Sequence, residues 1–161
     1  MLDSEVEILL VEDNPSDEML TLHAFKRQRI TNKVQVARDG AEALEYIFCT
    51  GAFADCSISI PKVILLDVGL PVVDGIEVLR RIRSDPRTRM IPVVVLTATS
   101  DESDIMELYR LGVNGYIAKP VELEQFDEVA KHVGYYCQLL NRQPAPVNEA
   151  QIEIIPNQAT G

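Results

Sequence analysis

Polar residues directly follow four of the short apolar runs in this sequence, and their types suit one kind of chemistry. They are Glu12 and Asp13, Asp67, Thr97, and Lys119. A lone aspartate after a strand is ordinarily a helix cap or a turn residue. Four such positions are a stronger pattern, because the carboxyl ends of parallel strands line one edge of a sheet and ligands bind in the crevice there. We therefore expect these side chains to converge on one site.

Three carboxylates held close together repel one another, and a divalent cation relieves that repulsion. Oxygen ligands favour Mg²⁺, with Mn²⁺ or Ca²⁺ as substitutes, and zinc is not expected because no His or Cys follows these runs. Lys119 and Thr97 suit an anion beside the cation, and a phosphoryl group fits both. Asp67 is the carboxylate placed centrally enough to accept that group covalently. The residues alone thus predict phosphoryl transfer onto an aspartate.

The elements that must position these residues are five βα units of an α/β fold with a parallel sheet. Strands are predicted at about residues 8–11, 34–36, 63–66, 92–96 and 115–118. Asn14 and Pro15 begin the first helix, whose core side is predicted to include Met19, Leu22 and Phe25. Further helices are predicted from about 41, from near 74, over the region 105–111 and over 122–140, and residues 49–61 form a surface loop.

Composition excludes several classes of protein. The 161 residues suit one domain, and 25 acidic against 15 basic residues give a net charge of −10, which argues against nucleic-acid binding. No apolar run is long enough to cross a bilayer, and no secretory signal is expected, so we predict a cytoplasmic chain. The three cysteines are predicted to be reduced thiols. A basic cluster at Arg80, Arg81, Arg83, Arg87 and Arg89 is predicted to be a solvated face.

The combination of these motifs resembles the receiver domain of response regulators in two-component signalling. The matching residues are Glu12-Asp13, Asp67 with Leu70-Pro71 and Asp74-Gly75, Thr97-Ala98, and Lys119-Pro120. The resemblance covers about residues 5 to 135. It implies a flavodoxin-like, doubly wound sheet of five parallel strands in the order 2-1-3-4-5.

The resemblance also implies a role for each site residue. Asp67 would accept the phosphoryl group from a sensor histidine kinase and become an aspartyl phosphate. Magnesium would be bound by Asp13, Asp67 and the main-chain carbonyl of Gly69, with Glu12 acting through water. Lys119 would pair with the phosphoryl oxygens. Thr97 and Tyr116 would form the switch pair, and the Lys119-Pro120 bond would be cis.

A narrower resemblance is to stand-alone regulators paired with phytochrome-type histidine kinases, which implies a phosphorelay in light signalling with output by protein contact. Residues 51–55 and 108–120 carry this resemblance. The alternative is an enzyme, a magnesium-dependent phosphohydrolase with an aspartate nucleophile. That class places a general acid two residues after its nucleophile, where this chain has Gly69. We therefore expect a phosphoacceptor with only weak self-dephosphorylation.

The end of the chain predicts self-association. Residues 1–141 are predicted to form the receiver domain with an extended last helix, and 142–161 a tail that is mostly disordered or exchanged with a partner. Apolar side chains continue past Gly134, where the core should be complete, at Tyr135, Tyr136, Leu139 and Leu140. Such residues on a protruding helix favour a homodimer interface.

Overall fold

Strands and helices alternate along the part of the chain that the computed structural model describes, residues 7–51, 60–70, 72–98, 101–119 and 122–141. The strands are β1 (Ile8–Val11), β2 (Val34–Ala37), β3 (Val63–Asp67), β4 (Val93–Thr97) and β5 (Gly115–Ala118). The helices are α1 (Pro15–Arg27), α2 (Gly40–Phe48), α3 (Gly75–Ser84), α4 (Glu102–Arg110) and α5 (Leu123–Asn141). The predicted elements are all present, with ends displaced by a few residues at most.

The strands form one parallel sheet in the order β2-β1-β3-β4-β5. The winding reverses between β1 and β3, which are neighbours in the sheet although β2 lies between them in sequence. This order confirms the expected flavodoxin-like fold. It also places the crevice for a ligand at the carboxyl ends of β1 and β3.

Both faces of the sheet are covered by helices, and alternate strand residues pack on opposite faces. One apolar cluster joins β-strand residues such as Val11 and Leu66 to α2, α3 and Leu108 of α4. The other joins Leu10, Leu65 and Leu96 to α1 and α5. The central strands are therefore buried on both sides, which is why they consist of continuous apolar runs.

Asparagine or aspartate caps the first four helices, and this fixes where each helix leaves the sheet edge. Asn14 accepts hydrogen bonds from the backbone of Ser16 and Asp17, and Asp39 accepts one from Glu42. The corresponding caps of α3 and α4 are Asp74 and Asp101. Each cap satisfies backbone N–H groups that a helix N-terminus leaves without partners.

Several local predictions were wrong. Met19 is 54% exposed, so it does not belong to the core face of α1. The buried side of α1 consists of Thr21, Ala24 and Phe25, and Met19, two positions before Thr21, lies on a different side of the helix. Asp67 and Thr97 are the last residues of β3 and β4 rather than the first residues after them.

The cysteine prediction was also wrong in part. Cys49 is disulfide-bonded, whereas Cys137 is a free, buried thiol. Burial raises the pKa of Cys137 to about 11, so it stays protonated near neutral pH. Hydrophobic periodicity carries no information on which cysteines form disulfides. No helix in the described part of the chain is both long enough and apolar enough to span a bilayer.

Arg83 does not belong to a solvated basic face, because its guanidinium is bound to backbone carbonyls from two loops. It donates to Leu111 (2.7 Å) and Gly112 (3.1 Å) after α4, and to Arg89 (3.0 Å) and Ile91 (2.8 Å) before β4. It also lies 3.3 Å from the side-chain oxygen of Asn114. The planar fork of an arginine supplies donors in several directions at once. Arg83 therefore ties the ends of α3 and α4 to the start of β4.

Replacing Arg83 by lysine should destabilise the fold. Arg83→Lys keeps the charge but leaves several partly buried carbonyls without donors, so we expect the free energy of unfolding to fall by about 2 kcal/mol. Arg81→Lys is the matched control, since Arg81 is exposed and pairs only with Glu77 in the described structure. That control should change stability by less than about 0.5 kcal/mol. Urea unfolding measures both, and equal effects would contradict this role of Arg83.

Candidate functional site

Three carboxylates converge at the carboxyl edge of the sheet, as the sequence predicts. One carboxylate oxygen from each of Glu12, Asp13 and Asp67 lies within 4.8 Å of the others. Glu12 is 1% exposed and Asp67 is 4% exposed, whereas Asp13 is exposed to solvent. Two buried acids and one accessible acid thus form a cluster that opens to water on one side.

Strand register explains why residues so distant in sequence meet here. Val11 is paired with Leu66, so Glu12 and Asp67 are the next residues on adjacent strands. Asp67 is paired with Leu96, which precedes Thr97, and Thr97 is paired with Ala118, which precedes Lys119. The alignment of the four strand ends therefore brings all the predicted strand-end residues to one edge.

Lys119 lies at the centre of the cluster and binds three carboxylates. Its Nζ is 2.9 Å from Asp67 Oδ2, 3.2 Å from Asp17 Oδ2 and 3.4 Å from Glu12 Oε1. Its backbone N–H donates to the carbonyl of Thr97, which fixes the start of its side chain beside β4. The ammonium therefore neutralises part of the charge that burial makes costly.

Asp67 is held in one orientation because both of its oxygens have partners. Oδ1 accepts a hydrogen bond from the backbone N–H of Gly69 at 3.0 Å, while Oδ2 accepts from Lys119. The chain then turns back so that the N–H of Gly75 donates to the carbonyl of Val68. A side chain at Gly75 would place its Cβ 2.7 Å from the carbonyl oxygen of Asp67, so glycine is required at that position. This is the physical reason for Asp74-Gly75 in the motif.

The two buried carboxyl groups differ in protonation. Burial, then a hydrogen bond to Asp67 and its negative charge, raise the pKa of Glu12 to about 8. Burial opposes ionisation of Asp67 too, but hydrogen bonds from Glu12 and Lys119 outweigh it and lower the pKa of Asp67. Burial disfavours the charged form of Lys119, yet its bonds and charges with the carboxylates raise its pKa. Without a cation the site thus holds an ionised Asp67, a protonated Glu12 and a charged lysine.

The donor set fits a hard divalent cation. Carboxylate oxygens alone make up this cluster, and such ligands suit Mg²⁺ or Mn²⁺ better than metals that prefer nitrogen or sulfur. Asp13 faces solvent, which leaves room for the water molecules that magnesium retains. The residues present can therefore hold a divalent metal ion between Glu12, Asp13 and Asp67.

The two predicted switch residues, Thr97 and Tyr116, lie on β4 and β5. Thr97 is 2% exposed and ends β4, the strand beside Asp67. Tyr116 of β5 is half-buried and packs against the cluster of apolar residues on the α2 and α3 face. Tyr116 is paired in register with Val95, two residues before Thr97, so the two predicted switch residues lie on neighbouring strands. Residues 71, 99, 100, 120 and 121, which include both motif prolines and the predicted cis bond, lie outside the described residues.

The predicted interface residues lie at the far end of α5, away from the acidic cluster. Tyr135 is 59% exposed, and its ring contacts that of Tyr136 edge to face at 6.0 Å between centroids. Tyr136 is half-buried against the apolar residues of the α1 and α5 face. The side chains of Leu139 and Leu140 are not described, and the tail 142–161 lies outside the described residues.

Asp17 was not among the site residues predicted from the sequence. Asp17 is the third residue of α1, and its side chain reaches Lys119. The position of Asp17 follows from the side of the sheet that α1 covers. Val63 and Leu65 pack on the face covered by α1, and because alternate strand residues share a face, Asp67 points to that face too. An acid in the first turn of that helix faces the carboxyl edge.

Glu12→Gln tests the protonation of the buried pair. The folded protein raises the pKa of Glu12 from 4.5 to about 8, so folding favours the neutral carboxyl group. The stabilisation that this provides is complete below pH 4.5 and is lost as the pH rises through 8. Gln is neutral at every pH. With a chelator present, we expect the variant to gain at least about 1 kcal/mol over wild type between about pH 5 and 9.

Urea unfolding across this pH range makes the measurement. Glu128→Gln is the control, because Glu128 is exposed and pairs only with Lys131 in the described structure. Parallel stability profiles for wild type and Glu12→Gln would show that Glu12 ionises normally.

Comparison with known proteins agrees with this geometry. Residues 8–131 match the family model of the response regulator receiver domain. The chain is 40% identical over 139 residues to the probable methanogenesis regulatory protein FilR2 of Methanothrix harundinacea, covering 86% of this chain and 88% of that one.

Two solved structures are similar to this chain in both sequence and fold. The phosphorylated cyanobacterial phytochrome response regulator RcpA is 39% identical with a TM-score of 0.73, covering 88% of this chain and 100% of its own. The Mn²⁺-bound form of response regulator Rcp1, a protein of Synechocystis, is 34% identical with a TM-score of 0.73, covering 87% and 99%. With its sheet order, its acidic cluster and its lysine, this chain belongs to the response regulator receiver-domain family of two-component signalling.

Proposed function

We propose that this chain is a single-domain response regulator that accepts a phosphoryl group from a sensor histidine kinase onto Asp67 and acts by protein contact. The observation that carries the proposal is the state of Asp67. It is buried, its pKa is lowered, and it is held by Gly69 and Lys119 beside the two other acids. An ionised, oriented carboxylate is what nucleophilic attack on phosphorus requires.

In the proposed reaction, an oxygen of Asp67 forms a bond to phosphorus while the bond from phosphorus to the kinase's histidine nitrogen breaks. The nitrogen keeps the electron pair, and the product is an aspartyl phosphate. Lys119 binds the phosphoryl oxygens, and the Thr97 hydroxyl donates to them. Asp13, Asp67, the main-chain carbonyl of Gly69 and, through water, Glu12 would hold a divalent cation, which would neutralise negative charge in the site. Mg²⁺ is the proposed ion.

Phosphorylation is proposed to be read out through Thr97 and Tyr116. Thr97 ends the strand beside Asp67, and Tyr116 is the half-buried aromatic residue of the edge strand β5. When the hydroxyl moves toward the phosphoryl group, the tyrosine ring can turn inward toward the space that it leaves. Such a movement would change the surface beside β5 and so could alter which protein the chain contacts.

A phytochrome-type kinase is the proposed source of the phosphoryl group, in a phosphorelay of light signalling that would place the chain in the cytoplasm. The similarity of this chain to RcpA, a cyanobacterial phytochrome response regulator, supports a phytochrome-type partner. The Mn²⁺-bound form of Rcp1 supports a divalent cation in the present cluster.

The alternative, a phosphohydrolase acting on external phosphate esters, has less support. Gly69 offers no side chain to protonate a leaving group at the position where that class has its acid. Among the described residues, a Cβ at Gly69 would meet only Asp67 Oδ1 within 4 Å, at 3.8 Å, so no described side chain fills the space there. Water can therefore reach an aspartyl phosphate there, and we propose slow self-dephosphorylation rather than turnover.

Phosphotransfer from candidate histidine kinases tests the function. Wild type should accept radioactive phosphate from a labelled histidine kinase in the presence of Mg²⁺. Asp67→Asn should accept none, because the amide is not a nucleophile. Asp74→Asn is the control, since it keeps the helix cap but lies outside the acidic cluster, and it should be labelled normally. Labelling of Asp67→Asn at the wild-type level would overturn the assignment.

We also propose that residues 1–141 form the receiver domain, that 142–161 form a separate tail, and that the chain is a homodimer through the last helix. The exposed ring of Tyr135 supports the interface, because an aromatic side chain that is 59% exposed leaves apolar surface for a partner to cover.

Sedimentation equilibrium at tens of micromolar should find a dimer. Tyr135→Ser should weaken association by about tenfold, since an aromatic anchor at an interface commonly contributes more than 1 kcal/mol. Met106→Ser is the control, because Met106 is 54% exposed but lies on α4, which packs on the other face of the sheet from α5. A wild-type monomer at these concentrations would refute the dimer.

A further inference from the structure

The ammonium of Lys119 has no hydrogen left for a new acceptor. A lysine has three N–H donors, and Asp67, Asp17 and Glu12 accept them at 2.9, 3.2 and 3.4 Å. In the proposed reaction the phosphoryl oxygens also need this ammonium. One of the three carboxylates must therefore lose its hydrogen bond when the phosphoryl group arrives.

Exposure indicates which carboxylate can be released at the lowest cost. The side chain of Glu12 is 1% exposed and that of Asp67 is 6% exposed, whereas that of Asp17 is 28% exposed. Asp67 also carries the incoming group and cannot leave. Water can replace Lys119 at Asp17, but not at Glu12, and an unpaired buried acceptor is costly.

Asp17 also has a second source of stabilisation after release. It lies in the first turn of α1, where the helix dipole favours a negative charge, and Asn14 caps its backbone N–H at 3.1 Å. In the described part of the chain, Lys119 is the only hydrogen-bond partner of its carboxylate. Losing that partner leaves a solvated acid at a helix N-terminus, which is an ordinary arrangement.

We propose that Asp17 is a positioning residue that holds the Lys119 ammonium in the resting chain and competes for it with the phosphoryl group on Asp67. The proposal rests on the proposed function, because the competitor is the phosphoryl group. Asp17 thus sets how readily the modified state forms. The simpler interpretation, an acid that merely stabilises the start of α1, predicts no effect on Lys119.

Beryllofluoride, a phosphoryl analogue that binds carboxylates without a kinase, tests the proposal in the presence of Mg²⁺. Calorimetry should find that Asp17→Asn binds it about two- to fivefold more tightly than wild type, because the competing ion pair is partly exposed. Glu18→Gln is the matched control: Glu18 is the next residue of the same turn, but it pairs with Arg38. Its affinity should equal that of wild type.

Salt dependence tests whether the effect is electrostatic. Added salt screens a partly exposed ion pair, so the advantage of Asp17→Asn should shrink as the ionic strength rises from about 0.05 to 0.5 M. The direction of the change separates competition from an effect on α1, because removing a charge that the helix dipole favours would weaken binding rather than strengthen it. Unchanged or weaker binding by Asp17→Asn would overturn the proposal.

Carbon NMR provides a second measurement, made on wild type, in which the variant serves only to assign the signal. The carboxyl signal of Asp17, assigned by its loss in Asp17→Asn, should shift when beryllofluoride is added to wild type. If beryllofluoride binds and this signal stays in place, Asp17 is not released and the proposal fails while the proposed function stands. If wild type binds no beryllofluoride, both fail.

Discussion

Lys119 bound among three carboxylates is the interaction on which the rest of the site depends. Burial alone would protonate both Glu12 and Asp67, and two neutral acids could neither hold a cation nor attack phosphorus. Hydrogen bonds from Glu12 and from the ammonium, 2.9 Å from Asp67, keep Asp67 ionised, and the proton is left on Glu12. The chemistry therefore begins with an unequal division of charge between two adjacent strand ends.

This arrangement results from the register of the strands and the capping of the helices rather than from any special sequence near the site. Four parallel strands end together, so residues separated by 107 positions, such as Glu12 and Lys119, come within 3.4 Å. Asp74 caps α3 and Gly75 allows that helix to begin against the backbone of Asp67. At the opposite edge, Arg83 anchors the end of α4 and leaves the carboxyl ends of the strands free for function.

Patterns along the chain predicted the alternation of strands and helices and the convergence of the strand-end residues, whereas the order of the strands in the sheet came from the resemblance to receiver domains. Buried strands are continuous apolar runs, and Asp67 and Lys119 follow such runs closely. Asp17 was missed, since its role depends on which face of the sheet α1 covers. Met19 was placed in the core because a few apolar residues at helical spacing do not show which side of a helix is buried. Arg83 binds carbonyls in loops whose paths periodicity does not specify, and periodicity carries no information on the Cys49 disulfide.

Borohydride trapping shows whether the phosphoryl group resides on Asp67. Tritiated borohydride reduces an aspartyl phosphate to an alcohol and leaves the label on the carbon that carried the acyl phosphate. After phosphotransfer, reduction and proteolysis, tritium should appear in the peptide that contains Asp67 and in no other peptide. Tritium in a peptide that contains Asp13 or Asp17 instead would show that the acceptor is not the carboxylate that Lys119 and Gly69 hold in place, and the assignment of Asp67 would be wrong.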